Sequence, residues 1–147
     1  MLNHYKAMQP IWDYQTSKLL KLQVKNRSSE FFGIVTDFNK GFAEPSNGTG
    51  YASHFTAAYY NPDSIYYRKE ELLDAAIDAM DFALSTMNED GTIDLRETNF
   101  HDATCNGFAM HPLGNAYKLL NKMTGNTPKE NKLKELFHEY TVRSGDA

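Results

Sequence analysis

Two polar segments contain most of the residues in this sequence that could bind a ligand or move a proton. The first covers residues 39–54 and the second residues 94–111, and together they hold Tyr51, His54, Asn99, Phe100, His101, Asn106 and His111. An imidazole exchanges protons near neutral pH. Amides and imidazoles beside exposed aromatic rings match the hydroxyl rims and C–H faces of sugars. These residue types favour a carbohydrate site, although they are also typical of the core and caps of a small helical domain.

The segment 86–97 has the ligand spacing of an EF-hand calcium loop. Gly91 falls at the sixth place, where the loop turns sharply, and Glu97 falls at the twelfth place, which supplies a bidentate carboxylate. Asn88, Asp90 and Asp94 fall at further ligand places. Thr86 stands at the first place, where a carboxylate is expected, and residues 98–103 do not resemble the exiting helix. A calcium-binding module is one interpretation of this segment, and a polar glycine turn after a helix is the other.

The single cysteine, Cys105, excludes an internal disulfide framework and a zinc site made of several cysteines. His101, Asp102, Cys105 and His111 also lack the spacing of zinc ligand pairs. We therefore expect no metal site and no cofactor.

Length and charge limit the class of protein further. A chain of 147 residues predicts one domain over residues 1–147, and its formal net charge of −4 argues against a nucleic-acid binder. No apolar run approaches the roughly 18 residues of a membrane span, so we expect no membrane partner. The first ten residues lack the apolar region of a signal peptide, which predicts a cytoplasmic location if Met1 is the native start.

The elements that must position these residues are mostly helical. Apolar spacing predicts helices over residues 11–26, 52–60, from 64 or 69 to 87, and over 103–123, the last interrupted by Gly107, Pro112 and Gly114. Residues 31–38 are predicted to be extended, 39–51 a loop, and 92–95 a brief strand or turn. Pro10 is placed just inside the first helix, with Ile11 and Trp12 on its apolar face. The final helix is predicted to begin with a capping box between Thr127 and Glu130, and to bury Leu133, Leu136, Phe137 and Tyr140.

A longer pattern extends over about residues 30–120. It contains Glu-Phe-Phe-Gly-Ile-Val at 30–35, Asn-Pro-Asp-Ser at 61–64, Asp-Gly-Thr-Ile-Asp at 90–94 and Thr-Asn-Phe-His at 98–101. This order resembles the N-terminal part of α/α-toroid carbohydrate-active proteins, particularly heparinase II/III-like polysaccharide lyases and uncharacterised bacterial relatives. The resemblance implies helical hairpins in a toroid and an acidic polysaccharide or oligosaccharide as partner.

The resemblance also implies a reaction, the β-elimination of uronic-acid polysaccharides. Asn99 would neutralise the substrate carboxylate or contact the substrate, and His101 and His54 would be the acid and base, with Tyr51 a further candidate. Phe100, Asn106 and His111 would contact the substrate.

The chain is short for a toroid. About a dozen helices of roughly 11–12 residues, with their loops, need around 200 residues. We therefore expect an incomplete toroid, a fragment or truncated relative of a larger one, and the missing residues put the activity of the isolated chain in doubt. An apolar face left by missing helices would favour self-association. A helical interaction scaffold without chemistry is a third interpretation.

Overall fold

The computed structural model describes residues 4–36, 44–95, 100–123 and 127–145, and these residues form a mostly helical domain, as predicted. The helices are α1 (His4–Leu22), α2 (Asn47–Tyr60), α3 (Glu70–Ser85), α4 (Ala103–Lys122) and α5 (Pro128–Gly145). Two short strands, β1 (Ile93–Leu95) and β2 (Phe100–Asp102), pair antiparallel between α3 and α4. The brief strand predicted at residues 92–95 corresponds to β1. No helix in the described ranges is both long enough and apolar enough to cross a membrane.

Four of the helices surround one hydrophobic core. Helix α2 packs against α3 and α4, and α5 packs against the same two helices, so the four close around shared side chains. Phe55, Leu72, Met80, Leu113 and Phe137 lie in this core and are fully buried. Each such side chain contributes about 1.5–3 kcal/mol on leaving water. Helix α1 lies outside the group and packs against α2.

Helix α3 follows its predicted pattern closely. Leu72, Leu73, Ala76, Met80 and Ala83 are buried at three- and four-residue steps. Two glutamates lie in its first turn, where negative charge is favoured by the helix dipole. The predicted end at residue 87 and the predicted start at residue 69 lie within two residues of the observed bounds, whereas the alternative start at residue 64 is wrong because residues 62–68 form turns.

Helix α2 begins earlier than predicted. The prediction of a loop over residues 39–51 is wrong from Asn47 onward, because Gly48 and Gly50 lie inside the first turns of α2. Gly48 is needed for close packing: a Cβ at this position would lie 2.9 Å from both the Ala79 carbonyl oxygen and the Ala83 Cβ. The glycine therefore allows α2 to approach α3, and the local sequence does not reveal this tertiary reason.

Helix α1 also begins earlier than predicted, and it is rotated relative to the prediction. It starts at His4, so that Pro10 lies inside the helix, and Ile11 and Trp12 are exposed rather than buried. In the first part of the helix the residues that face the protein are instead polar, namely Gln9, Asp13 and Thr16, and toward its end Leu19 and Leu20 pack on the core. Hydrogen-bonding partners on other elements, described below, account for this orientation.

Helix α4 is continuous through the glycines and the proline that were predicted to interrupt it. Pro112 lacks an N–H, so it removes one backbone hydrogen bond within the helix without ending it. Ala109, Leu113, Ala116 and Leu120 pack into the core, so residues on both sides of Pro112 hold the helix in place.

The capping box of α5 is confirmed. The Glu130 carboxylate accepts a hydrogen bond from the Thr127 N–H at 2.9 Å, and the Glu130 N–H donates to the Thr127 hydroxyl at 3.2 Å. Leu133, Leu136, Phe137 and Tyr140 are buried, as predicted.

The segment between α1 and residue 36 is mostly turns rather than the predicted extended chain; residues 37 and 38 lie outside the described ranges. The Gln23 side-chain amide donates to the Gly33 and Ala75 carbonyls at 2.7 and 2.8 Å and so fixes this segment on α3. Gly33 has a φ of +90°, and a Cβ there would overlap the Asp78 carbonyl.

Candidate functional site

The most distinctive cavity among the described residues is a cleft between α1 and α2, here called the central cleft. It has a volume of about 370 Å³ and is lined by Tyr5, Gln9, Trp12, Asp13, Thr16, His54, Ala57, Ala58 and Asn61. This volume lies within the range of roughly 300–1,000 Å³ that is typical of small-molecule sites. Its lining combines aromatic rings, amides, a hydroxyl and an imidazole.

Two aromatic rings form one side of the central cleft and remain open to solvent. Tyr5 is 55% exposed and Trp12 is 51% exposed. The Trp12 ring lies 6.0 Å from the His54 ring, centroid to centroid, at an interplanar angle of 47°. A half-exposed indole beside a cleft offers a flat apolar face to a ligand and keeps its N–H available as a donor.

His54 joins the two helices that form the central cleft. The Thr16 hydroxyl donates its one proton to the Trp12 carbonyl at 2.9 Å, so its 2.8 Å contact with His54 Nε2 is a bond donated by the imidazole N–H. This assignment places the lone pair of the ring on Nδ1. Burial lowers the pKa of His54. The side chain is therefore neutral at physiological pH and has one basic nitrogen.

A polar network fixes the floor of the central cleft. The Asn61 amide donates to Gln9 Oε1 at 2.7 Å, and the Gln9 amide donates to Asp13 Oδ1 at 2.9 Å. Asp13 also accepts hydrogen bonds from the Ser64 hydroxyl at 2.6 Å and from the Ile65 N–H at 3.3 Å. Because buried polar groups need partners, these bonds determine which face of α1 lies against the protein.

Two further clefts adjoin the central one. The outer cleft, of about 610 Å³, lies between α1 and residues 63–66 and is lined by Lys6, Gln9, Pro10, Asp13, Tyr14, Ser17, Asp63, Ile65 and Tyr66. The lateral cleft, of about 370 Å³, lies between α2 and α4 and is lined by Gly50, Ser53, His54, Ala57, Pro112, Asn115, Ala116 and Leu119. The central cleft shares Gln9 and Asp13 with the outer cleft, and His54 and Ala57 with the lateral cleft.

The residues predicted for a site do not all come together in these clefts. His54 lines two of them. Tyr51 lies half-buried against Ile34 and the α3 side of the core, outside all three. Asn106 is buried on α4, and its amide donates to the Gly91 carbonyl, which joins α4 to the turn before β1. His111 is exposed on α4, next to Pro112 of the lateral cleft.

Three other predicted residues lie where side chains are not described. Asn99 falls outside the described ranges. Phe100 and His101 belong to β2, where their backbones pair with Leu95 and Asp94. Their proposed roles as carboxylate neutraliser, substrate contact and acid or base remain predictions.

The sequence reasoning missed the residues that line the central cleft on α1. Tyr5 and Gln9 precede the predicted helix start, and Trp12 was expected to be buried. One available signal was the spacing of Gln9, Asp13 and Thr16, which places polar side chains at three- and four-residue steps. A stripe of polar residues at helical spacing indicates a helix that packs through hydrogen bonds.

Residues 86–92, the described part of this segment before β1, form a turn at the end of α3. The Thr86 hydroxyl is bound to the Phe82 and Ala83 carbonyls, and the Asn88 amide donates to Asp94 Oδ1 at 2.9 Å. Gly91 has a φ of +82°. Glu97 lies outside the described ranges. Within those ranges, no three His, Cys, Asp or Glu side chains lie close enough together to share a metal ion.

No family model, curated protein or solved structure matches this chain.

Proposed function

We propose that this domain binds oligosaccharides in the central cleft, with acidic sugars as the preferred ligands. The observation that supports this most directly is that the half-exposed Trp12 ring lines the same cleft as two fixed amides, Gln9 and Asn61. A sugar ring has an apolar C–H face that packs on an indole and a rim of hydroxyls that exchange hydrogen bonds with amides and an imidazole. The lining of the cleft offers both.

The fixed floor favours binding because its donors and acceptors are already oriented. Gln9 and Asn61 are bonded to each other, and the network continues to Asp13 and Ser64. Side chains that are ordered before binding lose less conformational entropy when the ligand arrives.

The preference for acidic sugars rests on the resemblance and on Lys6. Among the described residues that line the three clefts, Lys6 is the one lysine or arginine, and it lies in the outer cleft beside the shared residues Gln9 and Asp13. Asp63 lies in the same cleft and reduces the net attraction. We expect the contribution of Lys6 to be at most about 1 kcal/mol, as is typical of exposed ion pairs.

The finer part of the proposal is β-elimination, which the resemblance implies. His54 would accept the proton from the carbon next to the uronate carboxylate, the bond to the leaving oxygen would break, and that oxygen would take a proton from an acid such as His101. A carbon–carbon double bond forms in the product. The lowered pKa of His54 supports this role, because the imidazole is unprotonated at neutral pH.

Titration calorimetry with oligouronides and neutral oligosaccharides tests the binding proposal. Trp12→Ala should weaken binding of every ligand about tenfold or more, the equivalent of ~1.4 kcal/mol, because the stacking face is removed. Phe108→Ala is the matched control, since Phe108 is a 77% exposed aromatic residue that lines none of the clefts. The absence of binding to any saccharide, or equal binding by wild type and Trp12→Ala, would refute the proposal.

Charge and chemistry are tested in the same series. Lys6→Ala should weaken oligouronide binding up to about fivefold and leave the binding of neutral ligands unchanged. The control is Lys18→Ala, at an exposed residue outside the clefts, which should leave the binding of both unchanged.

Elimination is followed through the ultraviolet absorbance of the unsaturated product, which His54→Gln should abolish. If the wild type binds oligouronides but forms no unsaturated product, the proposed elimination is refuted and the proposed oligosaccharide binding stands.

A further inference from the structure

We propose that the saccharide site continues across α2 into the lateral cleft, so that the domain binds a chain of at least two sugar units with His54 between them. This inference rests on the proposed function of the central cleft and extends it to a second subsite. Its ligand is the next unit of the same oligosaccharide.

Two shared residues connect the clefts. His54 and Ala57 line the central cleft from one side and the lateral cleft from the other. They are adjacent on one face of α2, and Ala57 is exposed. Ala57 carries only a methyl group, so on its side of the boundary little side-chain volume separates the clefts.

The lateral cleft has the mixed lining that a sugar unit needs. Pro112 and Leu119 supply apolar contact, and Asn115 is an exposed amide whose side chain has no hydrogen-bond partner among the described residues. The Ser53 hydroxyl donates its proton to the Thr49 carbonyl at 2.7 Å, which leaves its oxygen able to accept. Gly50 leaves the cleft open, since a Cβ there would meet nothing within 4 Å.

The outer cleft is a poorer direction for the chain to continue. The boundary between it and the central cleft is formed by Gln9 and Asp13, which are bonded to each other and to Asn61 and Ser64. A ligand that crossed there would break several buried hydrogen bonds, whereas crossing at Ala57 breaks none.

A series of saccharides of increasing length, combined with a cavity-filling variant, tests the second subsite. Wild-type affinity should rise at least tenfold from the monosaccharide to the di- or trisaccharide. Gly50→Leu should remove this gain and leave monosaccharide affinity unchanged, because its side chain fills the lateral cleft alone. Gly107→Leu is the control: it is an exposed helical glycine with open space at Cβ that lines none of the clefts. Both changes favour the helix, so neither variant should unfold.

The outcomes separate the two proposals. If Trp12 is required for binding but affinity does not change with length, or if Gly50→Leu retains the full gain, the second subsite is refuted and the central cleft stands. If no saccharide binds the wild type, or if Trp12→Ala binds as wild type does, the central site and its extension both fail.

Discussion

At the residue scale, Gly33 shows how closely the segment after α1 packs against α3. Its φ of +90° is a conformation that L side chains rarely adopt, and the space beside it is occupied by the backbone of Asp78. The Gly33 carbonyl also accepts a hydrogen bond from Gln23. If the backbone of Gly33 changed its conformation or its position, the close packing on Asp78 and the hydrogen bond from Gln23 would be lost.

Gly33→Ala should therefore lower the free energy of unfolding by about 2–5 kcal/mol, since backbone strain and overpacking add. Chemical denaturation followed by circular dichroism measures the change. Gly107→Ala is the control and should be neutral or stabilising by up to ~1 kcal/mol, because that helical glycine has open space around it. A loss below about 1 kcal/mol for Gly33→Ala would show that the segment can move away from α3.

At the scale of elements, α1 depends on hydrogen bonds for most of its attachment. In its first thirteen residues, Gln9, Asp13 and Thr16 make the hydrogen bonds to other elements, and Leu19 and Leu20 pack on the core near its end. His54 belongs to the same interface, and burial lowers its pKa. If the His54 imidazole were protonated, it would need a negative charge nearby. Among the residues that line its two clefts, Asp13 is the one carboxylate, and its oxygens already accept other hydrogen bonds.

This arrangement predicts acid sensitivity. The unfolded chain binds a proton at the ordinary histidine pKa of 6.5, whereas the folded chain binds it only at lower pH. The stability from neutral His54 is therefore present above pH 6.5 and is lost as the pH falls from there toward the lowered value. The melting temperature should drop between neutral pH and about pH 5, and His54→Gln, which keeps an N–H for Thr16, should flatten this part of the profile. An unchanged profile in the variant would assign the sensitivity to other groups.

At the scale of the whole molecule, Glu130 joins three parts of the chain. Its buried carboxylate accepts hydrogen bonds from the Tyr60 hydroxyl at the end of α2, from Arg68 in the following loop, and from the N–H of Thr127 at the start of α5. Arg68 in turn lies over the rings of Tyr59 and Tyr60. Burial alone would raise the pKa of Glu130, but these hydrogen bonds and the Arg68 charge outweigh burial and lower it.

Glu130→Gln should lower the free energy of unfolding by about 1–3 kcal/mol. One carboxylate oxygen becomes an amide nitrogen, which cannot accept the hydrogen bond that Tyr60 and Arg68 or Thr127 now donate. The exposed Glu135 on the same helix gives the control, Glu135→Gln, which should change little. Since the pKa of Glu130 is lowered, its contribution is complete above the ordinary value of 4.5 and is lost as the pH falls through the lowered one. Thermal melts across that range should show a smaller acid effect in Glu130→Gln. An equal acid effect in both proteins would contradict this role.

The sequence predicted best the elements whose signals are local. The apolar steps of α3 and the capping box of α5 depend on residues within a few positions of one another, and both are observed. The starts of α1 and α2 were wrong because distant residues decide them: Asn61 and Ser64 bond the polar face of α1, and Ala79 and Ala83 require the glycine at 48. For the same reason His54 was identified by residue type, while Gln9 and Trp12, which share its cleft, were not.

The polar face beneath α1 determines what would happen if that helix moved. Leu19 and Leu20 anchor the end of α1 to the core. The first half of α1 instead covers polar side chains, such as those of His54, Asn61 and Ser64, which water can solvate. Lifting that half would expose little apolar surface, so the free-energy penalty is set by a few hydrogen bonds rather than by a hydrophobic seal.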